Sequence, residues 1–154
     1  MHRTGHVVRL GHETQVARPA EAHQPRVRDA AAAAPQAQRE LAASEWPGGV
    51  EDPRIVESED GTYIVTYTQW NRDVPRLAVA TSRDLLTWTK HGPAFARASG
   101  GKYLRSESKS GAILTRQKGD RLIATRVNGK YWMYWGVPTI RLATSDNLLD
   151  WTPV

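Results

Sequence analysis

An all-β fold built from repeated sheets is predicted by three observations. Short runs rich in β-branched and aromatic residues, "TYIVTYTQW", "RLAVATS" and "KYWMYWG", are bounded by Gly, Asn, Asp or Pro. Asp60-Gly61 and Asn128-Gly129 stand in front of two of these runs, with the chemistry of tight hairpin turns. One pattern also occurs twice: "GTYIVTYTQW…RLAVATSRDLLTWT" (Gly61 to Thr89) returns as "GKYWMYWG…IRLATSDNLLDWT" (Gly129 to Thr152). Each copy runs from a Gly turn through a Tyr-rich strand and Arg-Leu-Ala to Thr-Ser and Leu-Leu-x-Trp-Thr. Copies spaced in this way suit sheets arranged radially as propeller blades.

The elements follow in chain order. Residues 1–45 contain no Phe, Trp or Tyr, so they form a low-complexity segment that buries little. Their stretch "AAAAPQAQRELAAS" has helical propensity interrupted by Pro35, so the segment is expected to be disordered or weakly helical. His2, His6, His12 and His23 lie here at irregular spacing without carboxylate or thiol partners, which suits solvated residues better than a metal site. From Trp46 onward the chain reads as strands. Trp88 and Trp151 are expected to pack between blades, and Met133, Tyr134 and Trp135 in a blade core. Residues 46–154 hold roughly two blades of ~40–50 residues each, too few to close a ring. The chain therefore reads as a piece of a longer protein, cut within a blade at "DWTPV".

Composition excludes several classes. The chain has 154 residues, 40% of them hydrophobic, enough for one domain with a core. No apolar run approaches the ~20 residues of a membrane span. The net charge of +5 is spread among acids without a Lys/Arg stripe, which argues against nucleic acid as a partner. The absence of cysteine removes disulfides, thiolate metal sites and cysteine nucleophiles. The N-terminus lacks the apolar core of a signal peptide, so a cytoplasmic location is expected.

The ordered segments "GVEDPRI", "YTQWNRDVPRLAVATSRDLLTWTKHGPAF", "KSGAIL" and "NGKYWMYWG" resemble glycoside hydrolase family 130, the mannoside phosphorylases and related mannosidases. The resemblance covers residues 46–154; residues 1–45 do not resemble the family's opening blade. It implies a partial five-bladed β-propeller and inverting phosphorolysis of β-mannosides to mannose 1-phosphate. Its partners would be a β-mannoside oligosaccharide and inorganic phosphate as co-substrate, with no other cofactor and no metal. It places the general acid at Asp52, protonating the glycosidic oxygen through a hydroxyl of the bound mannosyl unit. Further ligands of the family's site come from the opening blade and from blades beyond residue 154, so this chain is expected to lack a complete active site.

The residues around Asp52 fit that role. A carboxylate at the start of an inner strand points into a propeller's central cavity. Pro53 is tolerated at a strand's first residues, which need not donate to the ladder. Strand alternation puts Arg54 on the face of Asp52, among the substrate-binding candidates, and Glu51 on the other. Glu51 disfavours joint ionisation with Asp52, and Arg54 opposes that. Phosphate needs cations rather than a catalytic base, which makes Lys109, Arg72 and Arg76 the phosphate-binding candidates; each alone also fits a solvated surface charge. Lys109 resembles the lysine before an inner strand that helps hold phosphate in the family. Trp70, Asn71 and Asp73 form a candidate sugar platform, the ring for stacking and the polar groups for hydroxyls. Asp73 also suits a hydrolytic base, which keeps a β-mannosidase open as an alternative. A non-catalytic carbohydrate-binding or interaction module is the other alternative, its exposed sheet edge met by a partner such as a second copy.

Overall fold

The computed structural model describes residue 41 and residues 43–154. The expected low-complexity segment and its four histidines lie outside these residues, except for Leu41 and a helical turn at residues 43–45. Among the described residues eleven strands follow, in two sheets whose blades are antiparallel.

The first blade is β1 (Gly49–Glu57), β2 (Tyr63–Trp70), β3 (Pro75–Ser82) and β4 (Thr89–Pro93), each paired antiparallel with the next. In the second, β5 (Ala112–Ile113) pairs with β9 (Lys130–Trp135), then β10 (Arg141–Ser145) and β11 (Thr152–Pro153) follow outward. Between β5 and β9 the chain makes an excursion through β6 (Thr115–Lys118), β7 (Arg121–Ala124) and β8 (Arg126–Val127). The β6–β7 hairpin joins the first sheet through the parallel pair Glu57 and Ile123, where Arg121 forms an ion pair with Glu57. Both expected hairpin turns are present. Asn128 and Gly129 have φ +50° and +80° between β8 and β9, the left-handed values such a two-residue turn requires. A four-residue 3₁₀ turn, Ala98–Gly101, follows β4.

Period-two alternation sorts the side chains of the first blade. Ile64, Leu77 and Val79 face the main core, where they meet Met133, Trp135, Ala143, Leu148 and Trp151 of the second blade. Phe95 lies between the blades with its ring centroid 4.8 Å from that of Trp135. On the other face Tyr67, Ala78 and Ala80 form a smaller cluster with Val65 and Trp88. There the Tyr67 hydroxyl donates to Glu45 at 3.0 Å, and the Lys90 ammonium, 2.5 Å from Glu45, lies over the Tyr67 ring. Burial, then the Glu45 charge, push the Tyr67 phenol well above its ordinary value, so it stays a donor.

Three expectations change. Tyr134 is half-exposed rather than in the core, because Met133 and Trp135 take the two inward positions of β9. Trp88, unlike Trp151, is only half-buried. Pro53 does not open its strand but lies within β1 at a bulge, which frees it from ladder donation just as a strand end would. Among the described residues no helix is long and apolar enough to cross a membrane.

Candidate active site

The bulge shapes the site. Glu51 pairs with Thr68 and Arg54 with Thr66, so Asp52 and Pro53 together oppose Tyr67 alone. Asp52 takes φ +53°, a left-handed conformation that Asp tolerates better than most residues. The expected alternation is lost at this point, and both carboxylates face one segment of the next inner strand. The Ser110 hydroxyl donates to Asp52 Oδ2 at 3.2 Å, and Lys109 Nζ lies 3.4 Å from Glu51 Oε2. Glu51 therefore shares the Asp52 side instead of facing away. Arg54 reaches the Asp52 main-chain carbonyl at 3.4 Å, not its carboxylate.

Lys109 and Ser110 are held by their neighbours on both blades. Ser108 N–H donates to the Pro75 carbonyl, and Leu77 N–H to Ser108 Oγ at 2.9 Å. Gly136 N–H donates to the Lys109 carbonyl at 2.8 Å, and the Thr66 hydroxyl to that of Gly111 at 2.6 Å. Gly111 is required by close approach: a Cβ there would meet Leu77 and Met133 side-chain atoms at 2.8 Å. Gly136 is required twice over, by φ +106° and by the Thr139 carbonyl 2.5 Å from a would-be Cβ.

A cleft of ≈ 880 Å³ opens between the β2–β3 loop, residues 106–109 and the β9–β10 loop. Its polar lining includes Arg72, Asp73, Glu107, Lys109 and Arg141, with Trp70 and Trp135 as aromatic wall. That size lies within the roughly 300–1,000 Å³ of small-molecule sites. Asp52 and Arg54 do not line it; Asp52 is joined to it through Ser110 and the adjacent Lys109.

The structure thus brings together Trp70, Arg72, Asp73 and Lys109, as expected, but sends Asn71 and Arg76 elsewhere. Both line a second cleft of ≈ 530 Å³ on the other side of the loop, with Lys90, His91 and Arg105; Asp73 borders both clefts. Asn71 Oδ1 accepts from the main-chain N–H groups of Asp73 and Val74, each at 3.1 Å, which folds the loop. Arg76 Nε is buried without a hydrogen-bond partner among the described residues. Burial lowers the His91 pKa against the opposing pull of Asp150, and Thr81 Oγ1 lies 2.8 Å from its Nε2. Sequence reasoning passed over Ser110, Glu107 and Arg141. Only Arg141 carried a signal, since the internal repeat sets it opposite Arg76 as the Arg of Arg-Leu-Ala. Among the described residues no group of three His, Cys, Asp or Glu could hold a metal ion.

Repeated four-stranded blades, with a carboxylate on an inner strand near a polar, aromatic-walled cleft, define part of a β-propeller with a candidate small-molecule site. The family model of the β-1,4-mannooligosaccharide phosphorylases matches residues 27–154, and the chain belongs to glycoside hydrolase family 130. It is a partial five-bladed β-propeller. A glycoside hydrolase from Parabacteroides distasonis is 58% identical with a TM-score of 0.72, over 74% of this chain and 33% of that one. A glycosyl hydrolase from Bacteroides ovatus is 58% identical with a TM-score of 0.71, over 73% and 31%. A third structure, 54% identical with a TM-score of 0.71 over 73% and 31%, is described in terms of glycoside hydrolases of this family that target β-1,2 mannosidic linkages in Candida mannan. The chain spans about a third of the length of these relatives. No curated protein matches it.

Proposed function

We propose that the whole propeller to which this chain contributes two blades cleaves β-mannosides with inversion, using Asp52 as the acid and water as the nucleophile. The observation that carries the cleavage is the bulge at Asp52, which aims an inner-strand carboxylate at Ser110 beside the cleft. Asp52 gives its proton, by way of a mannosyl hydroxyl, to the glycosidic oxygen as the bond to the anomeric carbon breaks. Water adds to that carbon from the opposite face and loses its proton to a second carboxylate, as inversion by hydrolysis requires. Asp73, in the cleft lining, is our choice for that base. The choice of water is supported by the 52–58% identical relatives, described as glycoside hydrolases or a glycosidase. β-1,2-linked mannosides are the substrate we favour, on the description of the 54% identical structure.

Phosphorolysis is the second reading. It is favoured by the three cations of the cleft, Arg72, Lys109 and Arg141, and by the phosphorylase description of the family model. The test is incubation with β-1,2-mannobiose, with and without inorganic phosphate, followed by chromatography of the products. Mannose formed without phosphate is the expected result, and Asp52→Asn lowers the rate by about 10²-fold or more. Mannose 1-phosphate formed only with phosphate establishes the second reading. No cleavage under either condition overturns both.

A further inference from the structure

We infer that the second cleft, separate from the one that serves the proposed reaction, binds a carboxylate on Arg76 with Arg105 as its second cation, and that its ligand is a sugar acid. The inference rests on no part of that reaction.

Arg76 and its neighbour across the sheet hold the polar groups that nothing answers. Arg76 pairs with Gln69 between β3 and β2, next to the pair Ala78 and Tyr67, so period two sends its side chain to the face of the smaller cluster. Its Nε is buried, and its guanidinium has no hydrogen-bonded or ion-paired partner among the described residues. Gln69 is fully buried, with neither its amide oxygen nor its amide nitrogen paired among those residues. Buried donors of this kind are destabilising until an acceptor reaches them. The nearby acceptors are already in use. Glu45 takes the Tyr67 hydroxyl and the Lys90 ammonium, and Asn71 Oδ1 takes the N–H groups of Asp73 and Val74.

The charges of the cleft select a single negative charge. Arg76, Lys90, Arg105 and Asp73 line it, and Glu45 neutralises Lys90 at 2.5 Å. Burial lowers the His91 pKa, so that ring adds no charge at neutral pH. Arg105 is exposed and has no partner among the described residues. Two arginines against Asp73 leave one positive charge over, which a carboxylate balances and a phosphate dianion overshoots. A planar carboxylate also matches the flat N–H edge of one guanidinium in a two-point contact. Asn71 spends its oxygen on the loop and keeps its amide N–H groups for hydroxyls. Leu41 and Leu104 supply apolar wall, and ≈ 530 Å³ is room enough for a pyranose ring. A sugar acid joins these features in one molecule.

The test follows the Arg76 Nε–H signal by ¹⁵N NMR while the whole 154-residue protein is titrated with D-glucuronate at fixed ionic strength. D-glucose, which has the ring without the charge, and inorganic phosphate are the controls. A saturable shift with glucuronate is expected, with none from glucose and weaker binding of phosphate. Arg76→Lys keeps the charge but loses the fork, and weakens glucuronate binding about tenfold or more. Arg105→Met, at an exposed position, weakens it about two- to fivefold, the worth of an exposed ion pair. Thermal unfolding of each variant separates loss of binding from loss of fold. Absence of a saturable shift in the wild-type protein overturns the inference, as does an equal response to glucose or to phosphate. So does full affinity in a folded Arg76→Lys protein, and full affinity in Arg105→Met removes Arg105 from the site. Cleavage of mannobiose without glucuronate binding keeps the proposed function and loses only this site; binding without cleavage does the reverse.

Discussion

At the residue scale, the internal repeat supplies its own controls. Ser82 and Asp84 fold the turn after β3, Asp84 Oδ1 accepting from Leu86 and Thr87 N–H at 2.9 and 2.7 Å. Asn147 does the same after β10, accepting from Leu149 and Asp150 at 3.0 and 2.9 Å. The charge at position 84 is therefore dispensable for the turn but not for its pH response. Those main-chain donors hold the Asp84 carboxyl down at about 2, from an ordinary 3.8. A depressed folded-state value stabilises above the unfolded one and is lost as pH falls toward 2, so the contribution disappears between about pH 4 and pH 2. Asp84→Asn should leave unfolding at neutral pH unchanged and flatten the acid limb, measured by circular dichroism across that range. Asp60, held at about 2 by Ser58 and Thr62, titrates in the same window, so the slope is reduced rather than removed. An acid limb identical to wild type would show that Asp84 contributes nothing to it. The turn motif itself was legible in sequence as "TS-x-[Asp/Asn]-LL-x-W". The Ser110 partner of Asp52 was not, since 58 residues separate them and only the meeting of two inner strands makes them neighbours.

At the element scale, the start of β5 is the joint on which the candidate site depends. Gly111 is wedged between Leu77 and Met133, both fully buried, and its carbonyl takes the buried Thr66 hydroxyl. Gly111→Ala overpacks a site that cannot give way and should cost about 1–3 kcal/mol, read as a fall in urea midpoint without change in slope. It should also displace Lys109 and Ser110, and with them the partners of Glu51 and Asp52. Thr66→Val separates the two effects: it leaves the Gly111 carbonyl unsatisfied, at about 1–3 kcal/mol, without a steric push. Wild-type stability in Gly111→Ala would mean that the segment is looser than its contacts imply. Strands β2, β3 and β9 were readable from their β-branched and aromatic residues and from the turn residues that bound them. The bulge at Asp52–Pro53 was not, because it is a matter of register against β2. The β6–β7 hairpin also went unread, although Gly119-Asp120 marks its turn. Its strands are largely polar, and only the pairing of Ile123 with Glu57 brings one of them to the core.

At the scale of the whole molecule, two sequence-equivalent tryptophans meet different surroundings. Each indole N–H donates to the carbonyl three residues earlier, Trp88 to Leu85 at 3.2 Å and Trp151 to Leu148 at 3.0 Å. Leu85 and Leu148 both take left-handed φ, +63° and +67°. The local structure is thus the same twice, yet Leu148 and Trp151 are 5% and 1% exposed, while Leu85 is 45% exposed and Trp88 half-buried. The difference comes from the segment after β4, whose Ala94, Phe95 and Ala98 pack with the second copy and whose Ala94 carbonyl takes the Trp151 main-chain N–H at 2.9 Å. A repeat in sequence fixes what each blade can offer, but burial depends on which blade lies against it. The two positions should therefore part company on truncation. Trp151→Ala removes a fully buried ring from the contact between blades and should cost about 3–5 kcal/mol, seen as a large fall in urea midpoint. Trp88→Ala removes a ring that water already reaches in part and should cost less than half as much, by the same area argument. Equal losses would mean that each tryptophan acts within its own turn, and that packing between blades contributes little to holding the two together.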